Sequence, residues 1–425
     1  MHWVQLLGLT AVPFAAAHSH HDHHFQKVFT DSELQELERK WGTDWGFSGI
    51  STFAHLPHVK CLTNPSVPYD IAVLGAPFDT AVSYRPGARF GPRAIRSSSG
   101  RQTALRGYNP RAKLNPYTSW ATILDCGDIP VTPFDNMLAL RQMTEAFSDL
   151  STRSATSANK DASSSYKRKP KILTLGGDHS VALPALRALR KAYDQPITVV
   201  HFDAHLDTWH PAKYPSAWVD FTSLSADNSS TWTEPSFFTH GNMFWLAHLE
   251  GLIAGNTSVH AGLRTRLSGV EDDEEDERQG WYRIPSDRVM DQGWSGVAWE
   301  IKKRVTESDG TGLKDKPVYL SIDIDIIDPG LAPATGTPEP GGWSTRELIR
   351  VLRGIEELNI VGADVVEVSP AYDGPGEQTS MAAAQVVFEV LTSMVKRGLA
   401  EDRWNEHGPD KQPNVYDWTA HGEEL

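Results

Sequence analysis

Short apolar runs alternate along the chain with longer segments whose apolar residues return every three or four positions. A short run bounded by turn formers predicts a buried strand, and the longer spacing predicts a helix packed along one side. Strands are therefore predicted at Ile71–Gly75, Ala121–Leu124, Ile172–Leu175, Ile197–Val200, Val259–Leu263, Val318–Ile324 and Ile360–Val368. Helices are predicted at Asp31–Lys40, with Asp31 or Ser32 as N-cap, and at Asn136–Leu150, Ala182–Tyr193, Trp294–Val305, Thr345–Leu358 and Ser380–Lys396. From Lys171 onward strands and helices alternate. That order implies a parallel sheet covered on both faces, with functional residues at the carboxyl ends of its strands.

The segments between these elements are polar or rich in turn formers. A loop punctuated by Pro77, Pro86, Gly87, Gly91 and Pro92 follows the first strand. Ser151–Ser165 reads as a solvated loop. The acidic run Glu271–Glu277 reads as an exposed loop, because its carboxylates lack the spacing of a calcium-binding loop.

The N-terminus changes the picture of domain organisation. Residues Trp3–Ala17 are nearly all apolar and end in three alanines, which reads as a secretory signal cleaved after Ala17; a buried N-terminal helix is the alternative. The run is too short for an ordinary membrane span. His18, His20, His21, His23 and His24 follow, either a loose metal-binding tract or a solvated leader. The expected organisation is a signal peptide at 1–17, a His-rich extension at 18–60, one catalytic domain at 61–400 and a tail at 401–425. The destination is then the secretory pathway or the extracellular space, or the cell interior if the leader is not a cleaved signal. Asn228 and Asn256 begin glycosylation sequons that matter only on the secretory route. Cys61 and Cys126 allow one bridge or two buried thiols.

Composition sets outer bounds. With 425 residues, 40% apolar content and a net charge of −14, the chain has ample core and no basic excess for nucleic acid. The negative balance is compatible with a cationic small molecule.

Three segments carry candidate metal ligands: Asp178-His179-Ser180 after one strand, Asp203-Ala204-His205-Leu206-Asp207 after another, and Asp323-Ile324-Asp325 at the end of a third. In extended backbone, residues two apart point the same way, so Asp203, His205 and Asp207 converge if the strand continues, as do Asp323 and Asp325. Unpaired, these carboxylates would be costly to bury together. Two divalent cations remove that cost. Aspartates with two imidazoles and no thiolate suit a borderline-hard ion such as Mn2+ rather than structural zinc. Taken singly, His179 reads more readily as a helix-start or core histidine, and the Asp-x-His-x-Asp stretch equally as a solvated loop.

Together, Gly-Gly-Asp-His-Ser at 176–180, His-Phe-Asp-Ala-His-Leu-Asp at 201–207 and Ser-Ile-Asp-Ile-Asp-Ile-Ile-Asp-Pro at 321–329 resemble the ureohydrolase family of arginase, agmatinase and guanidinobutyrase. The resemblance runs from about Ile71 to about Lys396 and includes Gly75–Asp79 and Gly87–Pro92. It implies a three-layer α/β/α fold with a mostly parallel central sheet, a homo-oligomer (trimer or hexamer) and two Mn2+ per subunit. It further implies one ion on His179, Asp203, Asp207 and Asp323, and the other on Asp203, His205, Asp323 and Asp325, with Asp203 and Asp323 bridging. His240 matches the family's proton-shuttle histidine and Glu367 its substrate-binding glutamate. Asp325 and His240 are the candidate proton carriers.

The implied reaction is hydrolysis of a linear guanidino compound to urea and an amine. Residues 208–239 lack the short Asn- and Ser-bearing loop of arginase, and the stretches around His240 and Glu367 look more like agmatinase. Agmatine, giving putrescine and urea, is the first expectation and 4-guanidinobutanoate the second. A secreted, non-catalytic metal-binding protein on the same scaffold is the alternative from a different class.

Overall fold

The computed structural model describes residues 29–42, 44–159, 169–211, 238–307 and 316–407. The leader, the histidine tract, the Asn228 sequon, most of the 208–239 segment and the end of the C-terminal tail lie outside these residues.

The chain divides into two compact units, Met1–Asp44 and Trp45–Leu425. In the first, helix α1 (Asp31–Trp41) is capped by Thr30, one residue before the expected cap, because Glu33 at its third position completes a reciprocal capping box.

The second unit is built on one sheet of eight parallel strands: β1 (Ile71–Ala76), β2 (Ile123–Asp128), β3 (Lys171–Gly176), β4 (Thr198–Phe202), β5 (Val259–Leu263), β6 (Tyr282–Pro285), β7 (Val318–Asp323) and β8 (Ile360–Val366). Their order is β2-β1-β3-β8-β7-β4-β5-β6. The near-continuous apolar runs follow from burial on both faces. Alternate residues feed two separate cores: Val73, Leu173 and Val200 face one side, Leu74, Ile172 and Val199 the other. The first side is covered by α7 (Arg288–Glu307), α8 (Thr345–Gly354) and α9 (Gln378–His407). The second is covered by α3 (Asn136–Ser151), α4 (Ala182–Tyr193) and α5 (Met243–Leu249). This is the expected three-layer α/β/α arrangement. Among the described residues no helix is long and apolar enough to cross a membrane.

Several local expectations need correction. The loop after β1 contains helix α2 (Gly91–Ser98), with Pro92 in its first turn, where proline's missing N–H costs nothing. Strand β6 carries no apolar run because it is a short edge strand. Ser151 closes α3, and Thr156–Asn159 form a 3-10 turn, so only part of Ser151–Ser165 is irregular among the described residues. Helix α8 stops at Gly354, short of Leu358, and α9 runs on to His407. The acidic run is not an exposed loop. It forms helix α6 (Val270–Arg278), with Asp272 and Asp276 buried. Asp276 is paired with Arg283, 3.0 Å away, and lies 3.1 Å from His260 Nε2.

Cys61 and Cys126 form a disulfide that ties the 3-10 turn Cys61–Thr63 to β2. It spans 65 residues of sequence. Closing a loop of that length restricts the unfolded chain, so Cys61→Ser or Cys126→Ser should lower stability by about 2–4 kcal/mol. Urea unfolding of the variants beside wild type measures this; identical midpoints would show that the bridge contributes nothing.

Candidate metal centre and active site

Strands β3, β8, β7 and β4 are neighbours in the sheet although distant in sequence. Their carboxyl ends deliver His179, Glu367, the pair Asp323 and Asp325, and the trio Asp203, His205 and Asp207 to one place. All are buried except His205, which is partly exposed. Gly177 makes the turn after β3 possible: a Cβ there would lie 1.8 Å from the Phe78 carbonyl oxygen. Asp178 then fixes the turn, its carboxylate accepting from the Ala81 and Ser180 N–H groups, each at 3.1 Å.

The aspartates converge by turns rather than by strand alternation. Strand β4 ends at Phe202, Asp203 Oδ1 accepts the N–H of His205, and Asp207 takes a left-handed φ of 54°. Likewise β7 ends at Asp323, which caps a 3-10 turn by accepting the Asp325 N–H at 2.8 Å. Short polar side chains that bond their own backbone two residues on are what such turns require.

Two groups of donor atoms result. His179 Nδ1 lies 3.0 Å from Asp203 Oδ2, 3.1 Å from Asp207 Oδ2 and 3.3 Å from Asp323 Oδ2. His205 Nδ1 lies 3.1 Å from both Asp203 Oδ1 and Asp325 Oδ2. Asp203 thus offers one oxygen to each group. His201 also stands within reach of the first group, but its Nε2 is spent on Asp203 Oδ2 at 3.0 Å, so we read it as a support.

Hydrogen-bond direction tests whether these residues fit a cation. Ser321 Oγ donates its one proton to Asp364 Oδ1 at 2.9 Å. It must therefore accept from His179 Nε2, 2.8 Å away. His179 Nδ1 is left facing three carboxylate oxygens with no hydrogen bond of acceptable geometry. A histidine whose far nitrogen donates to a fixed acceptor while the near one faces carboxylates is the arrangement of a metal ligand. The carboxyl groups agree. Burial, then the charges of Asp325 and Asp203, push Asp323 well above its ordinary value, and burial with Asp203 pushes Asp325 up to about 6. That is the repulsion a divalent cation would cancel.

Glu367 and His240 form a second arrangement beside the first. Glu367, at a left-handed φ of 61°, donates its N–H to Gly177 O at 2.8 Å. Its Oε1 accepts from the His179 N–H at 2.8 Å and meets His240 Nδ1 at 3.0 Å. Its Oε2 is buried and has no hydrogen-bond partner among the described residues. Two influences compete at His240. Burial opposes its charge, while the hydrogen bond to Glu367 raises it to about 9. The Ser83 N–H, however, points at His240 Nε2 from 2.9 Å and needs a lone pair there. In this geometry bond direction decides, and the ring carries one proton, on Nδ1.

All eight residues singled out from sequence thus meet at this end of the sheet. His201, His260, Asp276, Ser321, Asp364, Ser83 and Glu339 were not singled out for roles. Glu339 Oε1 stands 3.8 Å from His205 Nε2. The available signal was a polar residue inside otherwise apolar strands: His201, His260, Ser321 and Asp364 each interrupt such a run.

A model of the arginase family matches residues 69–392. A putative agmatinase 1 of Schizosaccharomyces pombe is 44% identical, over 84% of this chain and 85% of its own length. A guanidinobutyrase of Pseudomonas aeruginosa is 33% identical, over 81% and 92%. The solved structure of a proclavaminate amidino hydrolase from Streptomyces clavuligerus superposes with a TM-score of 0.66 at 33% identity, covering 83% of this chain and all of that one.

Because the two donor groups exist only in the folded chain, a divalent cation should stabilise it by mass action. At one hundred times its dissociation constant the gain is about 2.7 kcal/mol. Thermal unfolding with Mn2+ and with a chelator measures it; equal midpoints would remove the cation from this site.

Proposed function

We propose, from the premise that this chain belongs to the arginase family and is a ureohydrolase, that it cleaves agmatine to putrescine and urea with two Mn2+ per subunit. The observation that carries the reading is the pairing of two oxygen-and-imidazole donor groups with the buried Glu367 Oε2 beside them, which has no hydrogen-bond partner among the described residues. His179, Asp203, Asp207 and Asp323 would hold one ion, and Asp203, His205, Asp323 and Asp325 the other. When bound, the two cations supply an acidified water as nucleophile at neutral pH.

The remaining chemistry belongs to the side chains. A guanidinium is planar, cationic and a poor electrophile, so it must be held in place. Glu367 Oε2 accepts its N–H groups in charge-assisted hydrogen bonds. The water oxygen becomes the carbonyl oxygen of urea, and the bond from the guanidinium carbon to the alkyl nitrogen breaks. Both water protons end on that nitrogen, which leaves as an ammonium. Asp325 takes protons beside His205, and His240, poised by Ser83 and Glu367, passes them to the leaving amine.

Agmatine is favoured by the relatives named agmatinase and by Glu339, a carboxylate beside the partly exposed His205 that suits a cationic tail. One observation favours 4-guanidinobutanoate instead: the Arg85 guanidinium lies 5.3 Å from the Tyr84 ring and 5.2 Å from the Tyr372 ring. The Tyr372 hydroxyl donates to Pro86 O, which ties the Arg85 loop to the segment that follows Glu367. We further propose that the chain enters the secretory pathway. The disulfide Cys61–Cys126 supports this, since such bonds persist mainly in oxidising compartments.

Urea release from purified, Mn2+-loaded protein should rank agmatine above 4-guanidinobutanoate and arginine in kcat/KM; a preference for the anionic tail would reverse the substrate assignment. His240→Asn should lower kcat by roughly 10²–10⁴-fold, the usual worth of a placed proton carrier, whereas unchanged kcat would remove His240 from the reaction. Protein recovered from the medium of its own cells should begin at His18; retention inside with an intact leader would refute the secretory assignment.

A further inference from the structure

A row of polar side chains crosses the sheet one layer beneath the donor groups. Strand register pairs Thr174 with Asp364, Asp364 with Ser321, Ser321 with His201, His201 with His260, and His260 with Arg283. Partners in a parallel sheet share a face, and residues two further along each strand share it as well. Asp323, the last residue of β7, therefore stands above Ser321, and Asp203, just past the end of β4, meets His201 Nε2 at 3.0 Å. One end of the row, Asp364 and Ser321, fixes His179. The other end has no part in the function proposed above. It continues from His201 through His260 to the buried Asp276 of α6, the helix formed by the acidic run.

Hydrogen bonds link this end without a gap. His201 Nε2 lies 3.0 Å from Asp203 Oδ2, His201 Nδ1 lies 2.7 Å from His260 Nδ1, and His260 Nε2 lies 3.1 Å from Asp276 Oδ1. Asp276 is held in turn by the Thr208 hydroxyl at 2.6 Å and by Arg283 at 3.0 Å. Both histidines and Asp276 are fully buried, and the Trp281 ring stacks on His260 with centroids 3.9 Å apart. Ionised carboxylates only accept, so each of the three contacts needs one N–H. The orientation of each ring is therefore fixed by its neighbour in the row.

The consequence falls on Asp203. This carboxylate offers Oδ1 to the His205 group and Oδ2 to the His179 group, so a rotation about its own axis would spoil both. His201 blocks that rotation only while its own ring is fixed. We propose that His260 and Asp276, which lie outside both donor groups, are positioning residues that hold Asp203 in its bridging orientation through His201 and thereby set the affinity for the metal pair. The inference rests on the reading of Asp203 as a metal ligand. Loss of an outer partner of this kind costs roughly ten- to a hundredfold in metal affinity.

Mn2+ binding to the metal-stripped full chain, titrated by the electron paramagnetic resonance of free Mn2+, tests it without reference to activity. His260→Phe keeps the ring shape beneath Trp281 and removes both hydrogen bonds. His260→Asn loses shape but keeps a polar group at the Nδ1 position facing His201. Asp276→Asn keeps the helix and removes the charge. The expected result is affinity weakened about ten- to a hundredfold in His260→Phe, weakened in the same direction in Asp276→Asn, and largely restored in His260→Asn. Affinity in His260→Phe equal to wild type, or weaker in His260→Asn than in His260→Phe, would overturn the proposal by making His260 a packing residue. Circular dichroism of the metal-free variants identifies any that do not fold, and Asp276→Asn then decides between the same two outcomes. Asp203→Asn separates the premise from the inference: if it binds two Mn2+ as wild type does, the ligand reading itself falls.

Discussion

Five carboxylates crowded into one buried volume are the constraint on which the structure depends. Asp203, Asp207, Asp323 and Asp325 are withdrawn from water around the imidazoles of His179 and His205, and Glu367 is buried beside them against His240. Uncompensated, such a group would be forced to take up protons, as the upward pull on Asp323, Asp325 and Asp207 illustrates. Divalent cations would turn that repulsion into coordination energy. The turns that aim these side chains are local and tight, and each is closed by a carboxylate bonding its own backbone.

The parallel sheet makes the crowding possible. Strands β3, β8, β7 and β4 lie side by side, so the ends of segments nearly two hundred residues apart become neighbours, as the bond between the His179 N–H and Glu367 shows. Active sites gather at this end of such sheets because the strand ends and their following turns all open there. Beneath the donor layer, the polar row from Asp364 to His260 replaces apolar contacts with directed hydrogen bonds. A buried network of this kind is costly unless every member is satisfied, and in return it gives a few side chains a single orientation.

The site also divides its labour in space. His179, His205 and the four aspartates form the anionic cradle, while Glu367 and His240 stand beside it, one oxygen without a hydrogen-bond partner among the described residues and one ring held by Ser83. Two charged groups lie outside the cradle. Glu339 lies beside His205, and Arg85 lies between two tyrosine rings.

Much of this was legible in the chain. Apolar runs bounded by glycine and proline marked seven of the strands, because a strand buried on both faces must be apolar throughout. The six metal-ligand candidates were legible because carboxylates and imidazoles packed so densely into three short motifs have few other uses. Long-range hydrogen bonds were not legible. Nothing in Val259–Leu263 says that His260 lies opposite His201, since strand order and register are set by packing between segments far apart in sequence. Charge density also misled: Glu271–Glu277 looks solvated from composition, yet the turn of a helix sends Asp276 inward to Arg283 and His260 while its neighbours face water. The sequence by itself determined which chemistry the chain carries and on which strand ends. Only the tertiary structure decided which atoms face one another, because hydrogen-bond direction and charge pairing depend on ångström distances between elements that the linear order does not contain.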